Sequence, residues 1–252
     1  MITFTIETYQ GQESVRILTS VCTYIYHLEG CGFAALLDRD GNDWISYRPS
    51  GGEYGHYRGI PNMGLNAFGH PGYAYGAQSR VERIAEDHLC ITSRSVDGSW
   101  RTRWDIHAEG AIQTVEAVDK PYWWLYEGTP GGHFRPDVNY RLLPDGTRLP
   151  CNVRDYHPAT GPRWIGFGDP ACGRLLLLCA HTPETVTDAF WPMGGEGGMT
   201  VFGFGREDRG GLRPHLTATP ARFSFALLDS EDPAAAAERF TRLQDWILDI
   251  GY

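Results

Sequence analysis

Apolar and polar positions alternate with a period of two in several stretches of the chain. In Trp100-Arg101-Thr102-Arg103-Trp104-Asp105-Ile106, the residues Trp100, Thr102, Trp104 and Ile106 fall on one face. Arg101, Arg103 and Asp105 fall on the other, which predicts an antiparallel strand with one face in a core. Residues 23–28, 111–118, 199–205 and 222–227 repeat the pattern. After the break at Gly173-Arg174 comes Leu175-Leu176-Leu177-Leu178-Cys179, apolar throughout. It fits a strand buried on both faces, although periodicity alone also admits a buried helical turn. The runs on either side of Asp40-Gly41 predict a hairpin, and Asp97-Gly98 and Asp145-Gly146 mark further tight turns.

One helix is predicted, over about 233–249. Asp232 suits the N-cap and Pro233 the first helical position, where its missing N–H costs nothing. The alanines that follow favour helix, and Phe240, Leu243, Ile247 and Ile250 form one apolar stripe for packing on the sandwich or on a partner. No fixed-period repeat, low-complexity tract or linker interrupts the chain. The pattern therefore predicts a single domain, residues 1–252: an all-β, antiparallel β-sandwich with a short C-terminal helix. Residues 46–76 stand apart, rich in Gly, Pro, His and Tyr and poor in alternation, as a long functional loop would be.

Composition reinforces the β reading, with 13 Tyr, 8 Trp, 11 Phe and 31 Gly among 252 residues. A net charge of −9 argues against nucleic acid as a partner. The six cysteines are dispersed without a CxxC pair, which gives no zinc signature and suggests reduced thiols. No run of membrane-spanning length and no leader-like start is visible, so no membrane association and a cytoplasmic location are expected. No cofactor motif is present. Glu53, His56 and His70 are of the types that bind a divalent metal, but their spacing across a loop is not diagnostic. Asp38-Arg39-Asp40-Gly41-Asn42-Asp43 resembles a calcium loop only superficially, because its glycine comes too early. Oligomeric state is left open; a homo-oligomer is compatible with the pattern.

Three segments crowd chemistry-bearing residues together. The first joins Glu53, His56, Tyr57 and Arg58 to His70, Tyr73 and Tyr75. Tyr and His can pass protons, Arg can grip a carboxylate, and aromatic rings can pack on sugar rings. The second, residues 121–135, runs from an aromatic strand containing Trp123 through Glu127 into a glycine-rich loop with His133 and Arg135. The third holds Arg154 and Tyr156. His181 at the end of the leucine run and Trp191 near the 194–198 glycine loop complete the candidates, all of them substrate-binding groups or an acid, base or carboxylate clamp.

Tyr24-Ile25-Tyr26-His27 and the stretch Gly32-Phe33-Ala34-Ala35-Leu36-Leu37-Asp38-Arg39-Asp40-Gly41-Asn42-Asp43-Trp44-Ile45 are similar to the start of galactose-mutarotase-like supersandwich proteins. With residues 57–62, 126–132 and 199–205 added, the chain resembles bacterial proteins associated with glycan breakdown over most of 15–228. The resemblance implies a concave sheet that binds an oligosaccharide or polysaccharide. The superfamily spans aldose epimerases and domains of polysaccharide lyases, glycosidases and phosphorylases, so fold alone leaves the reaction open. Mutarotases of this type place an Arg in an Asn-Arg dipeptide. Here Arg58 is followed by Gly59, with Asn62 later, which counts against simple mutarotation.

The leading expectation is a lyase that cleaves a uronate-containing glycan by β-elimination. Arg58 or Arg135 would neutralise the carboxylate, His70 or His133 would take the proton, and Tyr57 or Tyr73 would protonate the leaving oxygen. The alternatives are a glycoside hydrolase pairing Glu127 with Glu53 or Asp155, and a sugar-binding or epimerase-like protein.

Overall fold

The computed structural model describes residues 1–65, 70–72, 76–158, 163–207 and 213–249. Tyr73, Tyr75 and Ile250 lie outside the described residues. The chain begins with an antiparallel meander of β1 (Thr3–Tyr9), β2 (Gln12–Leu18), β3 (Thr23–His27) and β4 (Gly32–Leu37), and β5 (Gly59–Asn62) joins its edge. It then crosses to a second sheet with β6 (Ala77–Ala85), β7 (His88–Ser95), β8 (Trp100–His107) and β9 (Gly110–Val118). β10 (Trp124–Gly128) returns to the first sheet beside β5, and β11 (Tyr140–Leu142) and β12 (Arg148–Pro150) go to the far edge of the second. β13 (Asp155–Pro158) caps the first sheet; β14 (Trp164–Asp169) and β15 (Arg174–Ala180) build the second. β16 (Thr187–Met193) and β17 (Met199–Phe204) fill the first sheet. A small pair, β18 (Arg206–Glu207) with β19 (Arg213–Pro214), precedes β20 (Ala221–Leu228) in the second.

Each sheet has nine strands, ordered β1-β2-β3-β4-β5-β10-β17-β16-β13 and β12-β11-β14-β15-β20-β9-β8-β7-β6. The protein is an all-β antiparallel sandwich. Its central core is aromatic: Phe33 lies 4.8 Å from Trp104 and 5.1 Å from Phe225, and Trp124 stacks on Phe223 at 5.4 Å. Side-chain hydrogen bonds also join the two sheets through this core. Tyr26 Oη is 2.8 Å from Ser93 Oγ, and Trp124 Nε1 donates to Gln113 Oε1 at 2.6 Å.

β15 is buried on both faces, as its unbroken apolar run predicts. Leu176 and Leu178 enter the central core, while Leu175, Leu177 and Cys179 meet the C-terminal helix. That helix, α2 (Pro233–Asp249), covers the outer face of the second sheet with Ala236, Phe240, Leu243 and Ile247. Asp232 caps it by accepting the Ala234 N–H at 2.9 Å.

Two local expectations are corrected. The return after Asp40-Gly41 is no regular strand: only Leu37 and Asp43 bridge, and the chain bends at Ser46, whose φ is +60°. The carboxylate of Asp38 is consumed by the turn itself, accepting N–H groups from Asp40, Asn42, Trp44 and Arg174. The segment 46–76 is also more than a loop. It holds a helical turn, α1 (Glu53–His56), and contributes β5 to the interior of the first sheet. Gly59 and Pro61 hid that strand, since both residue types normally weaken strands.

Candidate active site

Alternation along β10 sends Trp124 and Tyr126 into the central core and leaves Trp123, Leu125 and Glu127 on the outer face of the first sheet. Met199 and Val201 of β17 and Trp191 and Met193 of β16 extend this face, and Tyr57 packs against it. All of these outer-face residues except Met199 enclose a cleft of about 190 Å³, completed by Glu53 and Arg206. Glu53 and Tyr57 stand at the first and capping positions of α1, so the helical turn within 46–76 forms one wall.

Glu127 is the buried acid of this cleft, 4% exposed. Burial pushes its carboxyl up to about 8, against the opposing pull of the Asn62 amide and the Arg206 charge. Asn62 Nδ2 donates to Glu127 Oε2 at 3.1 Å, while its Oδ1 accepts from Trp123 Nε1 at 3.2 Å and Gly64 N at 2.9 Å. The amide orientation is thereby fixed, and Trp123, Asn62 and Glu127 form one chain of hydrogen bonds. At neutral pH Glu127 is mostly the neutral acid, able to donate a proton.

Arg206 reaches the cleft from the end of β17. Gly205, with φ +69°, makes the turn, and a side chain there would collide with Leu216. Asp188 holds the same turn by accepting the Gly205 N–H at 2.9 Å, and it pairs with Arg163 at 2.8 Å. The Trp191 ring has the Arg206 guanidinium 5.0 Å and the Arg154 guanidinium 3.9 Å from its centroid, which stiffens that wall.

Of the residues expected from sequence, Glu53, Tyr57, Trp123, Glu127 and Trp191 meet in the cleft, and Arg154 supports it from Trp191. The rest lie elsewhere. Arg58 donates to the carbonyls of Ser46, Gly197 and Gly198 at 3.2, 2.9 and 2.8 Å. His70 is buried, with Nε2 donating to the Phe33 carbonyl at 3.1 Å, and its ring fills the space that side chains at Gly32 and Gly59 would need. Desolvation, with the charge of His27, holds His70 well below the usual histidine range. His56 sits beside Tyr47 and Tyr57, with ring centroids 6.1 and 6.4 Å away. His133 is exposed and lies 2.9 Å from Glu196, and Arg135 is bound to Asp169. Tyr156 belongs to β13, opposite Ala189, and Asp155 pairs with Arg141 at 3.2 Å. His181 is under α2, stacked on Phe240 at 5.4 Å and bonded to Ser224, on the sheet away from the cleft.

Asn62, Leu125, Val201 and Arg206 were missed as site residues, whereas Met193 belongs with Trp191 to a segment whose sequence suggested a further wall. Leu125 and Val201 were legible as same-face neighbours of Glu127; Arg206, beyond two glycines, carried no local signal. Among the described residues, no group of three or more His, Cys, Asp or Glu side chains could hold a metal ion, and Glu53, His56 and His70 are not brought together as one.

No protein-family model matches the sequence, and no curated protein matches it. Solved structures do match in fold. The protein HI1317 aligns over 90% of this chain and all of its own, with TM-score 0.59 and 10% identity. YeaD from Salmonella typhimurium aligns over 89% of this chain and 92% of its own, with TM-score 0.56 and 10% identity. A galactose mutarotase-like protein from Lactobacillus casei covers 85% of this chain and 99% of its own, with TM-score 0.52 and 10% identity. The fold is therefore galactose-mutarotase-like.

Proposed function

We propose that the protein binds one sugar ring in this cleft and moves a proton on it through Glu127, an epimerase-type acid–base reaction at the anomeric centre. The observation that carries the proposal is a buried, mostly protonated carboxyl within an aromatic-walled cleft of about 190 Å³. Trp123, Trp191 and Tyr57 offer flat apolar faces to the C–H side of a pyranose, and the volume suits one ring better than a long polymer. The name of the Lactobacillus casei neighbour, galactose mutarotase-like, agrees with this chemistry.

In the proposed step, Glu127 gives its proton to the ring oxygen as the bond from that oxygen to the anomeric carbon breaks. A base, Glu53 or water at the mouth, removes the proton from the anomeric hydroxyl. The resulting aldehyde turns about its C1–C2 bond, and the reverse transfers close the ring in the other configuration. The Arg206 charge stabilises the Glu127 carboxylate left behind, so a positive charge is supplied without the Asn-Arg dipeptide that the sequence lacks.

Exchange NMR on a panel of free aldoses tests the proposal. Catalysed anomer interconversion is expected, with Glu127→Gln slower by about 100-fold or more. If uronate oligomers instead yield the absorbance of an unsaturated product, the reaction is β-elimination. If neutral oligosaccharides yield new reducing ends, it is hydrolysis by Glu127 and Glu53. Either result displaces the epimerase proposal.

A further inference from the structure

Helix α2 covers the second sheet over β14, β15, β20 and part of β9. Beyond it, strand register arranges the outer side chains in rows. Arg80, Thr92, Arg103, Thr114 and Arg222 stand opposite one another in turn across β6, β7, β8, β9 and β20. Gln78, Arg94 and Arg101 form the next row. With strands about 4.8 Å apart, successive arginines of the first row are about 10 Å apart. Two hollows of about 390 and 310 Å³ adjoin along these rows and share Arg101.

Three carboxylates offset this charge in part. Glu82 lies 3.6 Å from Arg80, Asp105 lies 2.7 Å from Arg103, and Glu116 pairs with Arg101. Arg94 bonds the neutral Gln78 amide oxygen at 3.4 Å. Among the described residues of these rows, five arginines stand against three carboxylates, on a chain whose net charge is −9. All are arginine, whose planar fork matches carboxylates in bidentate geometry.

We infer that this face binds a short acidic oligosaccharide. Its uronate carboxylates meet the arginine forks, and its hydroxyls meet Thr92, Thr114 and Gln78. Among the described residues lining the hollows none is aromatic, so there is no platform for stacking nucleobases. The acidic remainder of the molecule repels long polyanions, which favours a ligand confined to the two hollows. The inference is independent of the cleft chemistry, because the cleft lies on the outer face of the other sheet.

Calorimetric titration of the full chain with a galacturonate oligomer tests it, beside a neutral oligomer of equal length, inorganic phosphate and a short single-stranded DNA of matched charge. The uronate oligomer is expected to bind, to weaken with added salt, and to bind about tenfold or more weakly to the Arg94→Ala/Arg101→Ala variant. The thermal melt of that variant establishes that it folds. No uronate binding, unchanged binding by the folded variant, or equal binding of the charge-matched DNA would overturn the inference. Anomer exchange measured on the same variant reads the cleft separately, so loss of one property is not confused with loss of the other.

Discussion

Glu127 joins stability to chemistry at a single carboxyl. Its folded-state value near 8 lies above the ordinary glutamate value near 4.3, so the folded protein holds a proton that the unfolded chain has released. Stability from this group is full below about pH 4 and falls as pH rises, at about 1.4 kcal/mol per unit, until about pH 8. Chemical denaturation of the native protein and of Glu127→Gln across this range checks the claim. The variant is expected to lack this slope and to be the more stable protein at about pH 9. Parallel profiles would mean that Glu127 titrates normally. Trp191→Ala removes one wall and the surface on which Arg154 and Arg206 rest. Sugar affinity should fall by about tenfold or more, read by titration, with the fold retained. At this scale the sequence was informative where alternation could be followed. Trp123, Glu127 and Trp191 were legible; His70, which fills the space above two glycines, looked the same as a histidine facing solvent.

The elements around the cleft are held by contacts distant in sequence. Asp188 in β16 fixes Gly205, and Gly205 aims Arg206. Gly205→Ala should force the turn to move, because of both its positive φ and the Leu216 side chain. The predicted readout is a Glu127 midpoint above that of the native protein, since the favourable Arg206 charge recedes; an unchanged midpoint would show that the turn does not place Arg206. Arg58 ties the start of β5 to the β16–β17 loop through Gly197 and Gly198. Arg58→Ala should destabilise the protein by about 3 kcal/mol in denaturant unfolding, from the loss of charge-assisted bonds to buried carbonyls. β5 itself was not legible, because its Gly and Pro obscure a strand whose place is set by its neighbours β4 and β10.

On the scale of the whole molecule, three apolar layers account for the architecture: the central core, the helix-covered layer, and the small aromatic layer that becomes the cleft. Most of the first two was visible in the sequence, as period-two strands, an apolar β15 and a capped helix with one stripe. Phe240→Ala should cost about 3 kcal/mol and loosen α2, read as a lower melting temperature, since Phe240 joins Leu243 and Ile247 against the sheet. The third layer required sheet order, which local pattern does not encode: β5, β10, β17 and β16 are neighbours although 59 and 193 are far apart in the chain. The central claim is that Glu127, within this layer, holds the working proton. Carbon-13 NMR of the Glu127 carboxyl, titrated with and without saturating aldose, tests it most directly. A midpoint near 8 is expected in the free protein, displaced when sugar binds. A midpoint in the ordinary glutamate range, or one that no aldose moves, would contradict it.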